Sequence, residues 1–153
     1  MAFELTSPAF SDTSKIPAEF TCEGKDASPR LQWRDVPADT KSFALISDDP
    51  DAPAKTWVHW VIYNIPGESR ELPQGFPHDE ALPDGVRQGV NDGGEIGYGG
   101  PCPPPGKPHR YYFKLYALDS TLEIEGTATK DKLLAATKGH VLGEAVLMGT
   151  YQR

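Results

Sequence analysis

Nine of the chain's 15 prolines and 10 of its 15 glycines fall between Pro66 and Pro108. Proline fixes φ and removes a backbone donor, and glycine loses the most conformational freedom on ordering. No long helix can run through such a stretch. A compact domain carries an irregular segment of this length when the segment forms a functional loop system. Phe76, Val86, Ile96 and Tyr98 are spaced along it and can anchor it to a core.

The regular elements therefore lie outside it, and they read as strands. Ser42–Ser47 is a short apolar run closed by a turn signal. Trp57–Ile65 is rich in β-branched and aromatic residues, and His109–Leu118 is a third strand and the longest. Glu144–Tyr151 closes the chain as a fourth strand, with weaker candidates at Phe3–Thr6, Arg30–Trp33 and Thr121–Glu125. One segment, Lys130–Lys138, reads as a helix. Thr129 can cap it, Asp131 suits its positive end, and Gly139 can end it in the left-handed conformation. About seven short strands with one helix argue for a mainly β fold, an antiparallel β-sandwich, in a single domain over residues 1–153.

Charge and composition narrow the function. The net charge is -7, and no basic stripe exists to neutralise a phosphate backbone, which argues against a nucleic-acid binder. No apolar run is long enough to span a membrane. The opening MAFELTSPAF has neither the basic nor the apolar region of an export signal. Two cysteines, Cys22 and Cys102, make no disulfide framework. These features predict a cytoplasmic protein whose cysteines are not bonded to each other.

Three short pieces can carry chemistry. Asp48-Asp49-Pro50-Asp51-Ala52-Pro53 is a proline-stiffened turn after a strand, and an ordinary turn would look the same. In Trp57–Tyr63, strand alternation puts His59 on one face with Trp57, Val61 and Tyr63. A histidine among aromatics is more often a hydrogen-bonded core residue than a functional one. The third piece, Gly97–Tyr111, weighs most. Its glycines allow close approach of the backbone and can aim successive N–H groups into one concavity. Its prolines stiffen the loop before any ligand arrives. His109 and Tyr111 follow on one strand face, with Phe113 and Leu115 behind them. Amides, imidazoles and a phenol at the mouth of an apolar core suit a small anion.

Other chemistries have less support. Gly106-Lys107 is followed by Pro108, so this is not a phosphate loop of the nucleotide-binding type. No serine-hydrolase elbow occurs, and the four histidines lack zinc-protease spacing. Asp49, Asp51, His59 and His109 could gather around a divalent metal, and Cys102 could act as a nucleophile beside His109. Both readings are weaker than metal-free anion binding, and no cofactor is expected.

Together, the DPDAP turn at Asp49–Pro53, the strand histidine His59 and the segment GPCPPPGKPHRYYFKLYALD from Gly100 to Asp119 resemble the two signature regions of the phosphatidylethanolamine-binding proteins. The bacterial and archaeal branch of that family is called Raf-kinase-inhibitor-like. The likeness covers nearly the whole chain, from Ser28–Trp33 to Val146–Tyr151. It implies a sandwich of a large and a smaller sheet. It also implies a pre-formed pocket for phosphate, a phosphorylated ligand or a phospholipid headgroup. Carried over by position, the pocket is Asp49, Pro53, His59, Gly100, Pro101, His109 and Tyr111. A rigid Gly/Pro loop, two histidines and a tyrosine fit recognition without turnover, so the leading reading is a non-enzymatic binding module with a kinase or protease as a partner to be inhibited; the resemblance also implies a homodimer. The chain stops at Arg153, without the C-terminal helix of the eukaryotic relatives, which puts Raf-type regulation in doubt. The alternative is a hydrolase, lyase or cyclase using Asp49, His59 and His109 as acid–base groups.

Overall fold

The computed structural model describes residues 2–153. Its elements run β1 (Glu4–Thr6), a short 3₁₀ turn (Ala18–Phe20), β2 (Leu31–Arg34), β3 (Ser42–Asp49), β4 (Trp57–Pro66), β5 (Glu71–Leu72), β6 (Arg87–Gln88), β7 (His109–Leu118), α1 (Lys130–Thr137) and β8 (Val141–Tyr151). Two antiparallel sheets form, in the orders β1-β2-β5 and β6-β4-β3-β7-β8. The fold is thus the mainly β sandwich expected from the sequence.

Burial explains the layering. β3 lies in the middle of the larger sheet and is buried at all 8 positions, so it reads as an apolar run without alternation. β7 borders solvent on one face, and its residues alternate between buried and exposed or half-buried over most of its length. Between the sheets lies the main core, with Leu31, Trp33, Phe43, Trp60, Phe113 and Leu115 at its centre. A second core on the far face of the larger sheet joins Ala44, Ile46, Val61 and Tyr63 to Leu133 of α1. Thr129 Oγ1 accepts from the Lys132 amide at the start of that helix, and Gly139 follows it at φ 81. Both helix signals therefore act as expected, although the last helical residue is Thr137 and not Lys138.

Two expectations about strands are corrected. β8 begins at Val141, three residues earlier than the apolar pattern indicated. Thr121–Glu125 is not a strand. Its one buried apolar anchor, Leu122, has both backbone polar groups met by a side chain: the Leu122 amide donates to Asn64 Oδ1, and Asn64 Nδ2 donates to the Leu122 carbonyl. A side-chain amide thus replaces the ladder, and the segment needs no strand partner.

The proline- and glycine-rich stretch is ordered by buried side chains. Val86 and Tyr98 belong to the main core, and Phe76 packs against it. Gln88 works as a three-way clasp. Its Oε1 accepts from Trp60 Nε1, and its Nε2 donates to the carbonyls of Pro77 and Asp79. Asn91 does the same further on, accepting from the amides of Gly93 and Glu95 and donating to the Gly97 carbonyl.

The free edge of β8 is partly covered. The Thr13 amide donates to Met148, the Ile16 amide to Thr150, and Thr150 returns a bond to Ser14. The N-terminal arm therefore pairs with the last residues of β8 and leaves Val141, Leu142 and Val146 exposed.

Candidate functional site

β4 carries two irregularities against β3. Ser47 pairs with Trp60 but Asp48 pairs with Val58, so His59 is an extra residue; a second insertion follows Ile62. A bulge breaks the simple alternation of faces. His59 therefore does not share a face with Val61 and Tyr63, as alternation required. Those two residues pack in the second core, while His59 meets Tyr111 of β7 edge-on, with ring centroids 5.3 Å apart. The bulge turns the histidine from the helix side of the sheet to the side where a cavity opens.

That cavity holds about 410 Å3. Its polar wall includes Asp49, His59, His109 and Tyr111, and its apolar wall includes Pro53, Trp57, Val58 and Pro103. Trp57 is 38% exposed and stands at the edge. Asp49 ends β3, and its carboxylate is nearly fully buried. One oxygen lies 2.7 Å from His109 Nδ1, and the other accepts from the Asp51 amide at 2.7 Å. Just outside, Asp51 takes a two-pronged bond from the Arg110 guanidinium and a third from its amide. Arg110 holds the Asp51 carboxyl down at about 2. This exposed pair fastens the turn after β3 to the first residues of β7 and so sets the Asp49–His109 contact.

His59 differs from His109 in what stands behind it. Its Nδ1 lies 2.7 Å from the Gly99 carbonyl, a neutral acceptor. Burial pushes its pKa below the usual value, and the Gly99 bond and the Asp49 charge oppose this only in part. A carboxylate bonded to the ring would favour its charged form. Asp49 is bonded to His109 instead, and desolvation wins at His59. The Tyr111 ring packs against both imidazoles. Burial, and then the Asp49 charge, raise its phenol well above the ordinary range, so it stays protonated.

The glycine loop does something other than the sequence suggested. The Gly99 amide donates to the His59 carbonyl, and the Gly100 amide donates to Asp26 Oδ1 at 2.8 Å. Neither amide is free for a ligand. Gly100 is required sterically: a Cβ there would collide with the Phe20 carbonyl and with Asp26. Gly100 lines the cavity, while Pro101 does not; it is buried and its carbonyl accepts from the Cys22 amide. Six of the seven residues assigned from sequence thus share one cavity, and Pro101 braces its wall.

Cys22 and Cys102 are joined in a disulfide, which corrects the expectation of two unbonded cysteines. The fold makes the reason plain. The Cys22 amide bonds Pro101, Tyr98 Oη donates to Phe20, and Asp26 holds Gly100. The arm and the loop are laced together on both sides of the two thiols, bringing their Cα atoms within 5.4 Å. No spacing rule could reveal this across 80 residues. The same arm supplies Asp26, a cavity residue that sequence reading missed, because a lone Asp in the polar run Glu23-Gly24-Lys25-Asp26 carries no signal. Bonding also removes Cys102 as a nucleophile. Among the described residues no group of three or more His, Cys, Asp or Glu is placed to hold a metal ion.

A bulged histidine, a carboxylate-backed histidine and a phenol around a stiff Gly/Pro loop match a known family over almost the whole chain. The family model described as phosphatidylethanolamine-binding protein matches residues 6–152. The chain is 54% identical over 149 residues to the UPF0098 protein of Methanothermobacter thermautotrophicus, covering 97% of this chain and 98% of that one. It is 46% identical over 152 residues to the UPF0098 protein of Aquifex aeolicus, covering 98% and 88%. Among solved structures, a phosphatidylethanolamine-binding protein homologue of Chlamydia trachomatis superposes with a TM-score of 0.90 at 43% identity, covering 99% and 98%. YbcL of E. coli, described as a member of the mammalian family, gives 0.92 at 34% identity over 100% and 99%. The chain belongs to the phosphatidylethanolamine-binding protein family, in the company of bacterial and archaeal members.

Proposed function

We propose that this protein is a non-enzymatic binding module that recognises a small oxyanion group, such as a phosphate carried by a small molecule, a lipid headgroup or a protein. The observation that carries the reading is the pairing of a buried Asp49–His109 unit with His59 and Tyr111 around one cavity. A charged imidazole bonds an anion about twice as strongly as a neutral donor does, and Asp49 behind His109 compensates the ring's charge. The apolar wall leaves room for a substituent beyond the anionic group.

An acid–base enzyme is the second reading, because a carboxylate-oriented imidazole is also the arrangement of a general base. Against it, no Ser or Thr lines the cavity, and both cysteines there are bonded to each other. Inhibition of a kinase or protease and a homodimeric state complete the proposal on the strength of the family resemblance, and a cytoplasmic location, expected above from composition, stays part of it. The disulfide adds a condition: the cell interior must tolerate such bonds, as that of hyperthermophiles does.

The test is a phosphate titration followed by amide and imidazole chemical shifts. Shifts should concentrate at His59, His109 and Tyr111. Changes confined to surface lysines such as Lys132, or none at millimolar phosphate, would refute the proposal. Turnover of a phosphoester panel that disappears in His109→Ala would favour the enzyme instead.

A further inference from the structure

Two hydrogen bonds fix how each imidazole meets the cavity. His59 Nδ1 faces the Gly99 carbonyl and His109 Nδ1 faces the Asp49 carboxylate. A carbonyl accepts, and so does an ionised carboxylate, so in both rings Nδ1 carries the proton. Each Nε2 then holds a lone pair when its ring is neutral and a proton when it is charged. Neither Nε2 has a protein partner, and among the described residues no buried side-chain N or O atom lacks one. Both atoms are therefore reached from the cavity.

The two rings are not equivalent. Behind His109 stands a negative charge; behind His59 stands a neutral carbonyl in a buried setting. The lowered pKa of His59 agrees with that difference. The loop amides that would otherwise supply donors are engaged with Asp26 and His59. Of the two imidazoles, His109 consequently offers the cavity a strong donor and His59 a strong acceptor. A fully ionised oxyanion would set a bare oxygen against the His59 lone pair.

We propose that His59 makes the cavity selective for oxyanions that retain one proton. His59 Nε2 accepts a hydrogen bond from the ligand's hydroxyl, while His109 donates to an ionised oxygen. The class is the monoanion of a phosphate monoester or phosphonate, preferred over sulfate esters, which match it in shape and charge but hold no proton. This specificity rests on the oxyanion reading above.

Phenyl phosphate and phenyl sulfate separate the two claims. At pH 6 about half of a phosphate monoester keeps its second proton, since that group titrates near ~6. Calorimetric titration of the full chain at this pH should give phenyl phosphate an affinity at least about tenfold above that of phenyl sulfate, the worth of one charge-assisted hydrogen bond. His59→Gln can turn an N–H toward the ligand and should reduce the ratio to within about threefold. In the wild-type complex the 15N resonance of His59 Nε2 should remain that of an unprotonated, hydrogen-bonded nitrogen, a readout independent of the variant's folding. Equal affinities, or a protonated Nε2, would overturn the selectivity while leaving the oxyanion site standing. Binding of neither compound at millimolar concentration would remove the site itself.

Discussion

Asp48 and Asp49 are neighbours in the chain whose carboxylates serve opposite faces of the larger sheet. Asp49 turns toward the cavity and meets His109, while Asp48 turns toward the helix side, where Lys130 Nζ lies at 2.8 Å and Lys114 Nζ at 3.7 Å. Strand alternation separates a cavity carboxylate from a structural one within a single dipeptide.

The structural one predicts an asymmetry. The Asp48 side chain is 2% exposed and that of Lys130 is 26% exposed. Lys130→Met leaves the buried Asp48 carboxylate only the more distant Lys114 and should cost up to about 3 kcal/mol. Asp48→Asn releases a lysine that can turn to water and should cost less. Urea unfolding of both variants checks the order; equal losses would show that the pair does not depend on which charge is deeper.

The cavity carboxylate predicts a separation of stability from affinity. Asp49→Asn keeps an acceptor for His109 Nδ1 but removes the charge behind it. Anion affinity should fall by about 1.5–3 kcal/mol, the scale of a charge-assisted bond. Calorimetry with phenyl phosphate, beside a thermal melt, reads both effects. Unchanged affinity would show that the charge behind His109 contributes nothing to binding.

His59 predicts a dependence on pH. Its folded pKa lies below the ordinary value of about 6.5. The unfolded chain therefore binds more protons between about 6.5 and that lower value. Stability contributed by the neutral ring is complete above about pH 6.5 and declines as pH falls through that window. Urea midpoints at pH 7.5, 6 and 5 should drop more steeply in the wild type than in His59→Gln. Parallel slopes would mean that burial does not perturb this ring.

The disulfide predicts a response to reductant. Alkylation of the unfolded chain should add no label before reduction and two after it. Because the bond spans 80 residues, breaking it relieves a long-loop constraint on the unfolded chain and should cost about 2–5 kcal/mol. Melting with and without reductant measures this, and Cys102→Ser repeats it without chemistry. Two labels before reduction would show that the thiols are free.

Much of this was legible in the sequence, and the rest was hidden for identifiable reasons. Apolar runs marked β3 and β4 because most of their residues are buried whatever their register. Six of the seven assigned site residues meet because motif order fixes which turn lies near which strand. The direction of His59 was not legible. It depends on one inserted residue in β4 that is visible only against the pairing of β3. The role of the Gly100 amide was hidden likewise, since its partner, Asp26, lies 74 residues away in the N-terminal arm. Local pattern gives an element and its burial; the partner of a polar atom is a property of the assembled chain.

The wide separations have a kinetic side. Asp49 and His109 are 60 residues apart, and β3 has one sequence-near neighbour, β4, and one remote neighbour, β7. Contacts between remote segments form only after their loop-closure entropy has been met, so folds dominated by them are slow. On a ribosome, Asp49 emerges long before His109, and β7 then waits for β8 to cover its outer edge. The candidate site is therefore completed late. A tethered nascent chain truncated before Val141 should hold no oxyanion, however complete its N-terminal half.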